Sequence, residues 1–143
     1  MTGFGVKIPF VEHLGFELTK FDDGDSQIDF EPRAEHTNSF NVVHGGVCMT
    51  LLDVSMAAAA RSVDQEMGVV TIEMKTSFMQ AARGKLVGKG NLMHRTATMA
   101  FTQATIFDAE GKACAHATGT FKYVKRLPTG PTSVNPLNII STD

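Results

Sequence analysis

Asp53 lies in VCMTLLDVSMAAAAR, residues 47–61, a run without Gly or Pro in which Leu, Met and Ala favour helix. Apolar residues occupy nearly every face of that helix, the pattern of a buried one. A carboxylate there costs free energy unless it is hydrogen-bonded or reaches water. Thr50 and Ala57 share its face at i−3 and i+4, and such small neighbours leave room for a ligand or a second chain. Two readings stay open. Asp53 is a partly desolvated base, its pKa raised by burial, or a structural residue whose face points to solvent or which pairs with Arg61 two turns on. Just upstream stands His44-Gly45-Gly46. The first N–H groups of a helix lack partners and carry partial positive charge, and glycine lets a ligand oxygen come close. Such a site can polarise a carbonyl. Equally, two glycines make a tight turn into a helix. Asn38, in the preceding loop, is of a type that usually serves turns and caps.

The elements that must hold these residues can be read from periodicity. Residues 16–21 and 26–31 alternate as two short strands around the turn Asp22-Asp23-Gly24-Asp25. Pro32 ends the second, and a polar loop leads to the helix. After it, residues 70–78 alternate Val70, Ile72, Met74 against Thr71, Glu73, Lys75. Runs at about 84–94, 98–108 and 112–124 also suit strands. Asp108-Ala109-Glu110-Gly111-Lys112 reads as a hairpin turn, and His94-Arg95-Thr96-Ala97 as another strand connection. The pattern predicts one α+β domain over residues 1–127, with an antiparallel sheet of five to six strands wrapped around one long helix. Residues 128–143 are rich in Pro, Thr, Ser and Asn and read as a loose tail. A sheet curled on one helix leaves edge strands, which a second copy can cover.

Composition narrows the partners. The 143 residues carry 13 Lys and Arg against 15 Asp and Glu, a net charge of −2, without a basic block. That argues against a nucleic-acid partner. Cys48 and Cys114 sit in apolar runs and read as buried thiols. The five histidines form no HxxxH pair and join no cysteine cluster, so no metal or other cofactor is expected. No stretch is apolar enough to span a membrane, and the start MTGFGVKIPF lacks a signal-peptide pattern. A cytoplasmic protein is expected.

Together, Asn38, His44, Gly45, Gly46 and Asp53 form N-x(5)-H-G-G-x(6)-D, followed 18 residues later by Thr71. This spacing, with the text HTNSFNVVHGGVCMTLLD, resembles the hotdog-fold acyl-CoA thioesterases of the phenylacetate-pathway (PaaI-like) type, over roughly residues 12–124. The resemblance implies hydrolysis of aryl-acetyl or medium-chain acyl-CoA. It makes Asp53 the general base, or a nucleophile forming a mixed anhydride. Gly45 would offer its backbone N–H to the thioester oxygen. His44 would shape the helix start, Asn38 would place the thioester or the water, and Thr71 would assist the water beside Asp53. It also implies a homodimer or homotetramer in which Asn38 and Gly45 face Asp53 and Thr71 of the partner subunit. Family members commonly carry Gly where this chain has Asn41, a residue that tolerates positive φ better than most.

Substrate contacts are expected from Gly46, Phe40, Met49, Met74 and Phe78, with Met56 and Met79 as further lining candidates. Arg95, Arg83, Lys85 and Lys125 are candidates for the CoA phosphates. The rival readings are a hotdog dehydratase or hydratase, a non-catalytic acyl-CoA sensor and an inert structural subunit. The first would use a His in a proline-rich segment, and His44 is followed by Gly-Gly instead.

Overall fold

In a computed structural model of the chain, residues 3–125 are described. Strands β1 (Glu17–Asp22) and β2 (Asp25–Phe30) form a hairpin whose central residues Asp23 and Gly24 both take positive φ, 51° and 87°. This is the turn type whose twist matches paired strands, and Asp and Gly are among the residues that reach it at least cost. The chain then makes a 3-10 turn at Ala34–His36 and crosses to helix α2 (Gly45–Arg61). It finishes with β3 (Met67–Phe78), β4 (Leu86–Arg95), β5 (Met99–Phe107) and β6 (Ala113–Lys125). The six strands form one antiparallel sheet in the order β1-β2-β4-β5-β6-β3, curled around α2. This is the hotdog arrangement, as the sequence led us to expect.

Alternation builds the core. On β2, Ser26, Ile28 and Phe30 point inward. From α2, Leu51, Leu52, Met56, Ala58 and Ala60 meet Ile28, Phe30, Leu86, Ile106 and Phe121 in one buried cluster. Two glycines of β4 let the helix lie close. A methyl group at Gly88 would strike Ser55 Oγ and Leu51, and one at Gly90 would fall on the Ser55 carbonyl oxygen. That carbonyl accepts a hydrogen bond from Ser26 Oγ at 2.6 Å. The middle of α2 is thus pinned to the β2–β4 face of the sheet.

Three local features differ from the sequence reading. A short helix, α1 (Pro9–Leu14), precedes the sheet and buries Val11 and Leu14. It starts on Pro and stops at Gly15 in the left-handed conformation, the usual asymmetry of helix ends. Strand β3 begins three residues earlier than the alternation indicated. The expected connection at His94–Ala97 is shifted. His94 and Arg95 belong to β4, opposite Phe101 and Ala100, because a bulge between Leu92 and His94 resets the register. The turn proper is closed by Thr96 Oγ1, which accepts from the N–H groups of Thr98 and Met99. The hairpin at Asp108 is as read, with Asp108 Oδ1 accepting from Glu110 and Lys112 at 2.9 Å. The tail at 128–143 lies outside the described residues. Among the described residues, no helix is long and apolar enough to cross a membrane.

Candidate active site

The loop before α2 is built around Asn38. Its Oδ1 accepts from the N–H groups of Phe40 and Val42, at 2.9 and 3.3 Å, and its own N–H donates to the Val42 carbonyl. Two backbone donors fix which end of the amide is oxygen, so the Nδ2 donors are left for other work. Asn41 takes φ 60°, the conformation for which the glycine of the resembling family would otherwise be used. The loop ends are tied by a Thr37–Val43 bridge, by Val43 N–H to the Ala82 carbonyl and by His44 N–H to the His36 carbonyl at 2.8 Å.

His44 is the N-cap. Its Nδ1 accepts from Gly46 N–H at 2.8 Å, which spends the Gly46 donor on the helix itself. A side chain at Gly46 would come within 3.1 Å of that nitrogen, so Gly46 keeps room for the cap. Val47 and Cys48 N–H both go to the His44 carbonyl. Among the described residues, no acceptor takes the Gly45 N–H. One unpaired donor therefore stands at the positive end of a 17-residue helix, a suitable place to polarise a carbonyl.

A cavity of about 330 Å³ opens beside that donor. Its wall includes Asn38 and Gly45, with Phe78 packed against Gly45, and continues through Met79 and Gln80 to Cys48, Ala82, Cys114 and Ala115. Of the expected substrate contacts, Phe78 lies here, 55% exposed at the rim. Phe40 stands at the loop tip, 80% exposed, and Met49 is exposed on α2; neither lines the cavity. Met74 packs against the core and Met56 is fully buried beneath Gly119. Arg95 is at the other end of the sheet, stacked on the Tyr123 ring at 4.3 Å and paired with Asp64 at 3.7 Å. Arg83 and Lys85 are exposed on the loop that continues from the cavity wall at Ala81 and Ala82. The cavity residues that sequence reasoning missed are chiefly Gln80, Ala82 and the two cysteines, which had read as core thiols. Cys48 carried a usable signal, standing three residues after Gly45 and so near its face of the helix.

Asp53 lies two turns further along α2. Thr71 Oγ1 on β3 donates to its Oδ1 at 2.8 Å. The carboxylate is half-buried, and burial raises its pKa above the ordinary value; the Thr71 hydrogen bond pulls it partly back. Arg61 does not run out to meet it. Its guanidinium sits over the Phe21 ring and donates to the Phe4 carbonyl. The structure thus brings the predicted residues together as two separate groups: Asn38 with Gly45 at the cavity, and Asp53 with Thr71. Among the described residues, no group of three or more His, Cys, Asp or Glu side chains converges.

Comparison with known proteins finds similar chains over most of the sequence. A protein of Saccharolobus solfataricus, provisionally named an esterase, is 27% identical over 114 residues, covering 79% of this chain and 81% of its own. The fold is shared with a conserved protein of Pseudomonas aeruginosa (TM-score 0.80, 23% identity, 87% of this chain and 100% of that one). It is shared too with the E. coli PaaI protein from the phenylacetic acid degradation operon (TM-score 0.78, 19% identity, 82% and 86%). The thioesterase superfamily model matches residues 40–115, more than half of the sequence and the stretch that holds Gly45, Asp53 and Thr71. The chain belongs to the thioesterase superfamily.

Proposed function

We infer that the protein is a cytoplasmic acyl-CoA thioesterase of the PaaI-like type, hydrolysing aryl-acetyl or medium-chain acyl-CoA to the free acid and CoA. The observation that carries this reading is the Asp53–Thr71 pair. A carboxylate half sunk in an apolar helix is held by one hydroxyl through Oδ1, leaving Oδ2 to take a proton from water. Its pKa, raised by burial, makes it a stronger base than an ordinary aspartate.

The carbonyl polariser stands apart from the base. Gly45 and Asp53 are eight residues apart on one helix, which is about 12 Å along the axis at 1.5 Å per residue. One thioester cannot be within hydrogen-bond reach of the first and one water away from the second. A site that uses both takes Asn38 and Gly45 from one subunit and Asp53 and Thr71 from its partner. Strand β3 supports such an assembly. It is 12 residues long, pairs only with β6 among the described residues and exposes Ile72 at its middle. A long open edge of this kind is normally covered, and Thr71 and Phe78 both lie on it.

In the assembled site, the partner subunit's Asp53 removes a proton from water, and the hydroxide adds to the thioester carbonyl carbon. The Gly45 N–H receives the developing oxyanion, with the Asn38 amide as a second donor. The C–S bond then breaks, and the CoA thiolate leaves with the proton that the aspartate had taken. In the alternative form of this step the aspartate itself adds to the carbonyl and water opens the mixed anhydride; the same residues serve. Arg83 and Lys85 stand closest in sequence to the cavity wall and are suited to the CoA phosphates; Arg95 would first have to release Asp64. The test is a panel of acyl-CoA thioesters with a thiol reagent. CoA release supports the reading, and binding without release makes the protein an acyl-CoA-binding protein instead.

A further inference from the structure

The cavity beside Gly45 is lined partly by exposed and partly by buried residues. Phe78 and Met79 at its rim are more than half exposed, at 55% and 54%. The buried part of the lining is Cys48, Cys114, Ala82 and Ala115, none more than 5% exposed, with Cys114 and Ala115 on the strand beside Phe78 and Met79. Cys48 lies three residues, or about 4.5 Å of helix rise, past Gly45. A carbonyl bound at the Gly45 N–H can therefore send its acyl group inward along the first turn of α2 towards the two thiols. The volume of about 330 Å³ is that of roughly eleven waters at about 30 Å³ each. It is the size of an acyl group of medium length.

We propose that Cys48 and Cys114 form the end wall of the acyl chamber and set the longest acyl group the protein accepts. The Cys114 side chain is fixed in place. Its Sγ donates to the Lys112 carbonyl at 3.7 Å and accepts from Gln80 Nε2 at 3.8 Å, so it cannot readily swing aside for a longer chain. Cys48 is held by the helix backbone. Neither thiol acts as a nucleophile here. Burial, with the neighbouring Cys114 thiol, pushes the Cys48 pKa up to about 11, so it stays protonated near neutral pH. Both are wall residues, and at both positions side-chain volume is the property that matters. The proposal rests on the thioesterase reading for its substrate and on the cavity for its geometry.

The experiment compares wild type, Cys48→Ala, Cys114→Ala and Cys48→Met across straight-chain acyl-CoAs from butanoyl to hexadecanoyl. In parallel, calorimetry measures binding of the non-hydrolysable S-alkyl-CoA thioethers of the same lengths. Each methylene that fits the chamber should strengthen binding about fourfold, up to a limit beyond which affinity stops rising or falls. The alanine variants should move that limit outward by one or two carbons. Cys48→Met should move it inward. Thermal melting checks folding, and because the substitutions push in opposite directions, loss of one variant leaves the others decisive. An unmoved limit in the folded variants, in both kcat/KM and binding, overturns the proposal. If the thioethers bind with a limit that shifts but no acyl-CoA is hydrolysed, the end wall stands and the thioesterase reading falls. If no thioether binds, both fall.

Discussion

Thr71 Oγ1 donates to Asp53 Oδ1 across 2.8 Å, joining the outermost strand of the sheet to the helix at its centre. The bond fixes one carboxylate oxygen and leaves the other available. It also opposes the effect of burial on the acidity of Asp53. Both consequences can be measured.

Asp53→Asn should lower kcat by about 10²–10⁴-fold, the usual worth of a general base. The amide is nearly isosteric and its oxygen can still accept from Thr71. Because burial disfavours the charged form, removing the charge should hold or raise the melting temperature at neutral pH. A folded variant with wild-type kcat would remove Asp53 from the mechanism.

The pH profile follows from the same pair. Asp53 must be ionised to act, so kcat/KM should fall as pH drops through its raised pKa, a limb lying above 3.8. Thr71 holds that pKa down, so Thr71→Val should move the limb to higher pH. A limb that stays put in Thr71→Val would show that the hydroxyl does not tune the base.

Gly45→Pro deletes one N–H with little else. Proline is tolerated at the first helical position, and His44 already has the extended φ of −59° and ψ of 138° that a following proline requires. Loss of an oxyanion donor typically costs about 10²–10³-fold in kcat. Near-wild-type turnover, with circular dichroism confirming the fold, would rule out this N–H as the polariser.

Shared sites predict complementation. Light scattering should give a dimer or tetramer rather than 15.4 kDa. Gly45→Pro and Asp53→Asn, each inactive alone, should recover about a quarter of wild-type activity when refolded together. Random pairing makes half the dimers mixed, and each mixed dimer holds one intact site of two. A monomer in solution, or no recovery from verified mixed dimers, would overturn the shared site.

His36 predicts an acid sensitivity. It is buried against the Phe30 ring, its Nδ1 accepts from Arg33 N–H at 2.9 Å and its Nε2 has no partner among the described residues. Burial lowers its pKa below 6.5, and the Arg33 charge adds to this. The unfolded chain therefore binds the proton first as pH falls below 6.5, and stability should drop in that window until the folded pKa is reached. His36→Asn, which can still accept from Arg33, should flatten the fall in melting temperature between pH 7.5 and 5. An equal fall in both proteins would clear His36 of the effect.

Much of this was legible from the sequence because it is local. The all-round apolar run over residues 47–61 is the body of α2, and the alternation at Val70–Phe78 is most of β3. The Asp108–Lys112 turn follows from a single side chain that caps two N–H groups. Thr71 donates a hydrogen bond to Asp53, two residues that the resemblance had put on the same half of a shared site. The cavity did not. Its wall joins the start of α2 to Cys114 and Ala115 on β6, 66 or more residues away from Cys48, and no periodicity reports such a contact. Helix α1 escaped because six residues are too few for a 3.6-residue pattern to repeat, although Pro9 and Gly15 marked its ends.

The two glycines of β4 make the site depend on carbon atoms that are absent. Gly88 and Gly90 touch neither the cavity nor Asp53, yet they set the height at which α2 rides over the sheet. A 2.8 Å bond from a strand to a helix tolerates little change in that height. One methyl group on Gly90 would lift the helix at Ser55, only two residues from the carboxylate, and draw Asp53 away from Thr71. The fold thus works as a jig in which the thinnest part of the sheet gauges the reach of the base.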